Sequence, residues 1–292
     1  MPLSRRNLVT LAGAAALASA IPPYGARSAV RTDRLVSIGG AVTEILFALG
    51  VGDRIIAVDS TSDYPPAAQD LPDVGYIRQL TAEPIIALAP SLVLMLDGAG
   101  PPTTIEQLHA AEVPIRIVPD TPTAQGIAEK IRIVGEAVGR AEEGRALAAQ
   151  VDDDLARLGD AVSAARERPR VLFVLAASNG RLLAAGSGTS AEGIIEMAGG
   201  RNAVDGFEDY RPLSAEAAVA AAPDLLLLMD RTFEEIGGMA GILARPELSL
   251  TPAAQAGRVK AMDGLLLLGF GPRTPQAVRE LAAALHPDLA LP

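Results

Sequence analysis

The chain has 292 residues, 49% of them apolar and 3% aromatic, with a formal net charge of −10 and no cysteine. Its length allows two ordinary hydrophobic cores, and the lack of cysteine excludes disulfides, thiol catalysis, thiolate metal sites and lipid attachment at an N-terminal cysteine. The acidic balance disfavours nucleic acid and anionic membrane as partners, since both need a basic face.

Residues 1–20 read as an export signal: Arg5-Arg6 within SRRNL, an apolar run over 9–17, and Ala18-Ser19-Ala20 as a small-residue cleavage site. The paired arginines fit the twin-arginine route, and an ordinary secretory signal fits as well. The apolar run falls short of the roughly 20 residues that span a bilayer, and no later stretch is long and apolar enough either, so no stable membrane insertion is expected.

Residues 34–38 read as a strand, Gly39-Gly40 as a tight turn, and 41–49 as a helix closed by Gly50 and Gly52. A second strand covers 54–58, followed by two turn-rich loops, DSTSDYPP and PDVGYIRQL. The phrase LTAEPIIALAPSLVLML at 80–96 then returns as LSAEAAVAAAPDLLLLM at 213–229, identical at eight of seventeen positions and offset by 133 residues. Each copy has Thr81 or Ser214 as a helix N-cap, Glu83 or Glu216 in the first turn, Pro90 or Pro223 as a stop, and a buried strand. Arg78 and Arg211 precede the copies at the same offset. A duplicated α/β unit implies two similar lobes, and ligands of such sheets bind at the loops, so both lobes should face one cleft.

A helix over 103–111 and a strand at 115–118 complete an N-terminal lobe taken as 21–123. From 124 to 166 there is no proline, and Ile127, Ile131, Val134, Val138, Leu147, Val151, Leu155, Leu158 and Val162 recur at helical spacing. This predicts a long connecting helix within 124–168, with Gly139 and Gly144 as break points, able to restrict lobe motion. The C-terminal lobe, 169–292, should hold a strand at 170–175, a helix at 190–198, the second copy, strands near 259–262 and 265–268, and a final helix at 274–286. The expected fold is α/β: two Rossmann-like lobes with parallel central sheets joined by one long α-helix.

Gly186, Gly188 and Ala191 make a G-x-G-x-x-A pattern before a helix, which suits a nucleotide or merely a crowded turn. The two histidines, His109 and His286, lie on separate helices and exclude a multi-histidine metal site. No nucleophile, base and acid set stands at a plausible elbow, so no enzymatic activity is expected. Tyr76 differs: it follows a glycine at the mouth of the expected cleft, and a phenolate is a hard ligand for ferric iron whose charge the guanidinium of Arg78 would favour. A tyrosine that caps a core with its hydroxyl in water is the plain alternative.

The segments RLVSIGGAVTEILFALG, DSTSDYP, DVGYIRQL, GFEDYRPLS and LLGFGPRTPQ, in this order, resemble the periplasmic haem-binding proteins of bacterial ABC haem importers, a helix-linked class of substrate-binding proteins. The resemblance covers nearly the whole mature chain. It implies ferric haem held in the cleft, with Tyr76 as axial ligand, Arg78 beside it, and a second-lobe arginine near the haem: Arg231, with Arg211 and Arg273 as further candidates. It also implies that Glu83 and Glu216 dock the carrier onto the permease of the inner membrane. Some relatives place a histidine over a second haem just after the strand VLFVL; the sequence there is AASNG, which argues against a stacked pair. Phe207 and Phe270 are expected in an apolar slot. The expectation is a monomeric periplasmic carrier of haem, the alternatives being a ferric siderophore or corrinoid carrier, or an exported nucleotide-using enzyme.

Overall fold

The computed structural model describes residues 33–178 and 181–292. The export signal, and Asn179 and Gly180 of the AASNG stretch, lie outside the described residues.

The first sheet is built by β1 (Leu35–Ile38), β2 (Ile55–Val58), β3 (Leu92–Leu96) and β4 (Ile115–Val118), in the order β2-β1-β3-β4, all parallel. Three helices accompany it: α1 (Gly40–Ala48), α2 (Ala82–Ala87) and α3 (Pro102–Ala110). Every residue of β1 is buried, as expected of a central strand covered on both faces. Gly40 opens α1 because a Cβ there would lie 2.4 Å from the Thr61 carbonyl oxygen and 2.6 Å from Leu265 Cδ1.

The proline-free segment is not one rod. It forms α4 (Ala124–Ala137) and α5 (Ala141–Ser163), broken at Gly139, whose φ is 75°. The two helices pack closely and antiparallel: a Cβ on Gly135 would stand 3.0 Å from Gly144 Cα, and Ala124 shares a small hollow with Asp152, Leu155 and Ala156. The apolar stripe itself breaks here: the step from Val138 to Leu147, at about 3.6 residues per turn, ends on a half turn, which moves the stripe to the other side of a continuous helix and fits two helices better than one.

The second sheet contains β5 (Arg170–Ser178), β6 (Arg181–Ala185), β7 (Arg201–Asn202), β8 (Tyr210–Leu213), β9 (Leu225–Met229) and β10 (Val259–Met262). Its order is β10-β9-β5-β6-β8, with β7 beside β5. The β10, β9, β5 and β7 pairings are parallel, like the first sheet, whereas β5-β6 and β6-β8 are antiparallel, so this sheet is mixed. Its helices are α6 (Ser190–Met197), α7 (Ala215–Ala220), α8 (Asp230–Glu235), α9 (Gly238–Ala244), α10 (Pro246–Ser249), α11 (Pro252–Gln255), α12 (Gly264–Leu268) and α13 (Thr274–Leu285). The strand expected at 265–268 is therefore helix α12: the leucine run has no period of its own, and Asp263 caps it by accepting from Leu266 N at 2.7 Å.

The duplication reaches the backbone. Ala89 and Ala222, at equivalent places before Pro90 and Pro223, both take left-handed φ, 44° and 42°. Ser214 accepts from the Ala217 amide at 3.2 Å, whereas Thr81, though at the N-cap, makes no such bond.

One apolar core runs through both lobes. It joins Leu35 and Ile45 of the first, Ile127 and Ile131 of α4, Val151 and Leu158 of α5, and Phe173, Leu227 and Leu281 of the second. Two satellite cores lie within the separate lobes. The described residues form one compact unit accordingly.

Candidate functional site

A cleft of about 780 Å³ opens between the lobes. Tyr76, Ile77, Arg78, Leu96 and Asp120 line it from the first lobe; Leu175, Tyr210, Met229, Arg231, Leu265 and Leu268 line it from the second. A hollow of about 870 Å³ lies between residues 164–169 and the C-terminal segment, but only the second lobe and its linker build it, and its rim mixes arginines with Glu167, Asp224 and Asp288.

Asp59, which is 1% exposed, holds the cleft-lining residues Gly39 and Thr61. One of its carboxylate oxygens accepts from Gly39 N at 2.7 Å and Ser62 Oγ at 2.9 Å, and the other accepts from Thr61 N at 3.0 Å. A chain of hydroxyls, Ser37 to Thr43 to Ser62, continues at 2.7 Å per step. The DSTS motif thus ties its loop to the start of α1, and its work is structural.

Tyr76 follows Gly75, which needs φ 109° and whose amide is held by Asp73 Oδ1 at 2.7 Å. The Tyr76 side chain is 46% exposed in the cleft. Arg78, two residues on, donates from Nη1 to the Gly98 carbonyl at 3.3 Å and keeps its other donors. Arg231 stands on the second-lobe wall in the first turn of α8, exposed, with Nε on Glu235 Oε1 at 2.7 Å.

The other two candidate arginines do not line the cleft. Arg211, on β8, is exposed and donates to its own neighbour Glu208 O at 3.0 Å. Arg273 sits between Glu44 and Tyr64: its amide donates to Glu44 Oε1 at 3.0 Å, its Nη2 lies 3.0 Å from Glu44 Oε2, and its guanidinium stacks 3.5 Å from the Tyr64 ring centre. Gly271 of the GFGPR motif permits this, since a Cβ there would already press on Glu44 Oε1 at 3.3 Å. Burial raises the Glu44 carboxyl above its ordinary range, and Arg273 opposes the rise. A second staple lies beside it. Lys130, with no exposed side chain, donates to Asp120 Oδ1 at 2.6 Å and to the Gly269 and Phe270 carbonyls at 3.3 and 3.2 Å. LLGFGPRTPQ therefore fastens the lobes together.

Phe207 and Phe270 do not form the slot either. Phe207 packs under Gly186, and Phe270 is 1% exposed with φ 51°. The apolar part of the cleft lining comes instead from Ile77, Leu96, Leu175, Met229, Leu265 and Leu268, beside the two tyrosines. The glycine pattern before α6 has a packing cause: a Cβ on Gly186 would meet Phe207 O at 2.2 Å. The amides there are already engaged, Gly188 N with Glu192 Oε2 at 2.7 Å and Glu192 N with Thr189 Oγ1 at 3.2 Å, which leaves little of a phosphate cradle. His109 is exposed on α3, and among the described residues no cluster of three His, Cys, Asp or Glu could hold a metal ion.

Sequence reasoning missed Tyr210 and the carboxylates. Tyr210 is held edge-on to Phe173, ring centres 6.3 Å apart. Burial raises its hydroxyl's pKa, against the Ala191 amide, the Thr189 hydroxyl and the field of Arg78. Its place in DYRP, beside the arginine that mirrors Arg78, was the available signal. Asp63, Asp230, Asp263 and Glu234 share the cleft lining. Asp63 is raised by burial and then by Asp263 and Asp59, and Asp230 by burial and then by Asp263 and Glu234. Glu83 and Glu216 lie outside the cleft, exposed in the first turns of α2 and α7. The start of α7 and the Ser214 hydroxyl hold the Glu216 carboxyl below its ordinary range.

A family profile described as periplasmic binding protein matches residues 35–265. Among solved structures, the periplasmic haem-binding protein RhuT from Roseiflexus sp. RS-1, in apo form, is 42% identical with a TM-score of 0.84, covering 88% of this chain and 98% of that one. The periplasmic haem-binding protein BhuT, in complex with two haems, is 43% identical with a TM-score of 0.82, covering 86% and 98%. The vitamin B12-binding protein of Vibrio campbellii is 30% identical over 194 residues, covering 66% of this chain and 69% of that protein. The two-lobed architecture and these matches agree: the chain belongs to the periplasmic binding protein family.

Proposed function

We propose that this protein is a periplasmic carrier that binds ferric haem between its lobes and hands it to an ABC importer of the inner membrane, with no enzymatic step. The observation that carries the reading is a half-exposed tyrosine, Tyr76, with Arg78 two residues on, in the wall of a cleft that both lobes build. The Tyr76 phenolate is the axial iron ligand, and the Arg78 guanidinium stabilises its charge or takes a propionate bidentately. The apolar side chains of the lining receive the faces of the macrocycle. Arg231, once it leaves Glu235, reaches the second-lobe edge of the ligand; Arg211 and Arg273 take no part. The 1–20 leader exports the chain, which works as a monomer, and Glu83 and Glu216 seat it on the permease.

A second reading, a corrinoid carrier, is favoured by one observation: the cleft carboxylates Asp63, Asp230, Glu234 and Asp263, with Asp120 besides that is paired with Lys130, outnumber the guanidiniums of Arg78 and Arg231. That balance suits a dianionic ligand less well than a neutral one. Haemin titration of the purified protein, followed by absorption, separates the two, with cyanocobalamin as the parallel ligand and Tyr76→Phe as the variant. Saturable haemin uptake with a ferric tyrosinate spectrum that Tyr76→Phe abolishes supports the haem reading. Saturation by cyanocobalamin alone overturns it.

A further inference from the structure

The hollow of about 870 Å³ beside residues 164–169 stands at the far end of the second sheet from the cleft. Three strands join the two spaces. Pro169 before β5, Asp224 before β9 and Arg258 before β10 line the hollow, while Leu175 within β5, Met229 at the end of β9 and Asp263 after β10 line the cleft. The three strands are parallel, so their starts share one end of the sheet. At about 3.3 Å per residue they hold hollow and cleft roughly 15–20 Å apart. A guest in one does not touch a guest in the other.

Four exposed arginines from three segments line the hollow: Arg166 and Arg168 between α5 and β5, Arg201 at the start of β7, and Arg258. Two of them are fixed by the backbone. Arg168 Nη2 donates to the Gly200 carbonyl at 2.9 Å and Arg258 Nη2 to the Ala284 carbonyl at 3.3 Å, which leaves each guanidinium most of its N–H groups. The side chains of Arg166 and Arg201 have no hydrogen-bond or ion-pair partner at all among the described residues. Arg170, next along the chain from Pro169, spends its guanidinium on the Ala203 and Ala221 carbonyls and adds a fifth positive charge at this end. Glu167, Asp224 and Asp288 share the lining, yet none forms an ion pair with these arginines. Asp224 turns one oxygen to the Arg170 amide instead, at 2.8 Å. An arginine that serves the fold takes a carbonyl, as Arg168 and Arg258 do, or a carboxylate. In a chain of net charge −10, Arg166 and Arg201 take neither.

We propose that this hollow binds a soluble ligand carrying two or more phosphate groups, independently of the cargo in the cleft. Guanidinium forks receive phosphate oxygens bidentately. A single phosphate is too small to reach arginines that three separate segments hold around such a space, whereas a chain of phosphates reaches them together. The three carboxylates set a further condition: a monoanion gains little from a rim of nearly balanced charge, so the guest must concentrate its charge at the arginines.

The test is calorimetric titration of the whole protein with inorganic tripolyphosphate at fixed ionic strength. Orthophosphate is the smaller anion, and pelleting with phosphatidylglycerol vesicles examines a lipid source of the same group. Saturation at one tripolyphosphate per chain is expected, with orthophosphate weaker by roughly tenfold or more and no pelleting with vesicles. Arg166→Gln combined with Arg201→Gln should weaken tripolyphosphate by roughly tenfold or more and leave haemin titration unchanged. Neither side chain bonds to the rest of the protein, so this variant keeps the fold, which an unchanged melting temperature without ligand checks. Arg78→Gln combined with Arg231→Gln should leave tripolyphosphate binding as it is. No saturable uptake by the wild type overturns the proposal, as does affinity that survives loss of Arg166 and Arg201 or disappears with Arg78 and Arg231. Orthophosphate binding as tightly overturns the need for a second phosphate, and vesicle binding without tripolyphosphate binding assigns the hollow to a lipid surface and overturns the soluble ligand. None of these outcomes touches the haem reading.

Discussion

Lys130→Met removes a buried cation while keeping nearly the same side-chain length. In the native protein the ammonium has no exposed area and serves Asp120 together with the carbonyls of Gly269 and Phe270. The substitution leaves those two carbonyl oxygens without this donor, each costing about 1–3 kcal/mol if left unpaired. It also breaks a pair of the kind whose loss costs roughly 3–5 kcal/mol when both partners are buried. Asp120 is 31% exposed and can turn to water, and the thioether returns some apolar burial, which brings the net cost to about 3 kcal/mol. At roughly 2–4 °C per kcal/mol for a domain near this size, the melting temperature should fall by about 6–12 °C. Thermal unfolding followed by circular dichroism reads this directly, and the wild type should show one transition, because both lobes share a core. A fall below about 2 °C would refute the argument that Lys130 staples the lobes. So would two separate wild-type transitions.

Three further outcomes are expected. Asp63 and Asp230 are raised in the folded protein, so their contribution is fully present below the unfolded carboxylate value and is lost as pH rises through the folded one. Melting temperature should therefore climb as pH is lowered from neutral toward the ordinary carboxylate range, and Asp63→Asn with Asp230→Asn should flatten that climb. Ala89→Gly and Ala222→Gly each relieve a left-handed alanine, a gain of about 1–2 kcal/mol against a glycine entropy cost of about 0.5–1, so each should raise the urea midpoint slightly; a clear drop at both would contradict the strain argument. Glu83→Lys and Glu216→Lys should each abolish stimulation of the importer's ATPase in proteoliposomes without altering haemin titration; unchanged stimulation in both would remove these residues from the docking surface.

Much of the fold could be read from residues because it is local. The repeated phrase announced two α/β units, and the structure carries the repeat down to the paired left-handed alanines. What escaped the sequence was long-range. The break at Gly139 left a trace in the spacing of Val138 and Leu147, but that the two helices fold back on each other became visible only where Gly135 meets Gly144. The leucines of α12 carry no period, and the antiparallel pairs of β6 depend on partners far along the chain. Around the cleft the same division holds. The loop carrying Tyr76 and Arg78 was legible from its glycine and its offset. Whether Arg273 faces the cleft or Glu44 depends on residues 229 positions apart, and nothing near GFGPR marks the difference.

The shared core has a mechanical consequence. Closely packed interiors yield little to compression, and a swinging motion needs a few loosely held residues to absorb the rotation. Here the path between the lobes is a hairpin buried against both sheets and pinned by Lys130 and by the Glu44–Arg273 pair. The opening of the cleft is thus a stiff elastic deflection rather than the free travel of a door. A partner that grips α2 on one arm and α7 on the other works a pair of levers against that spring, and the force it must supply is set at the fulcrum, far from any residue that touches the cargo.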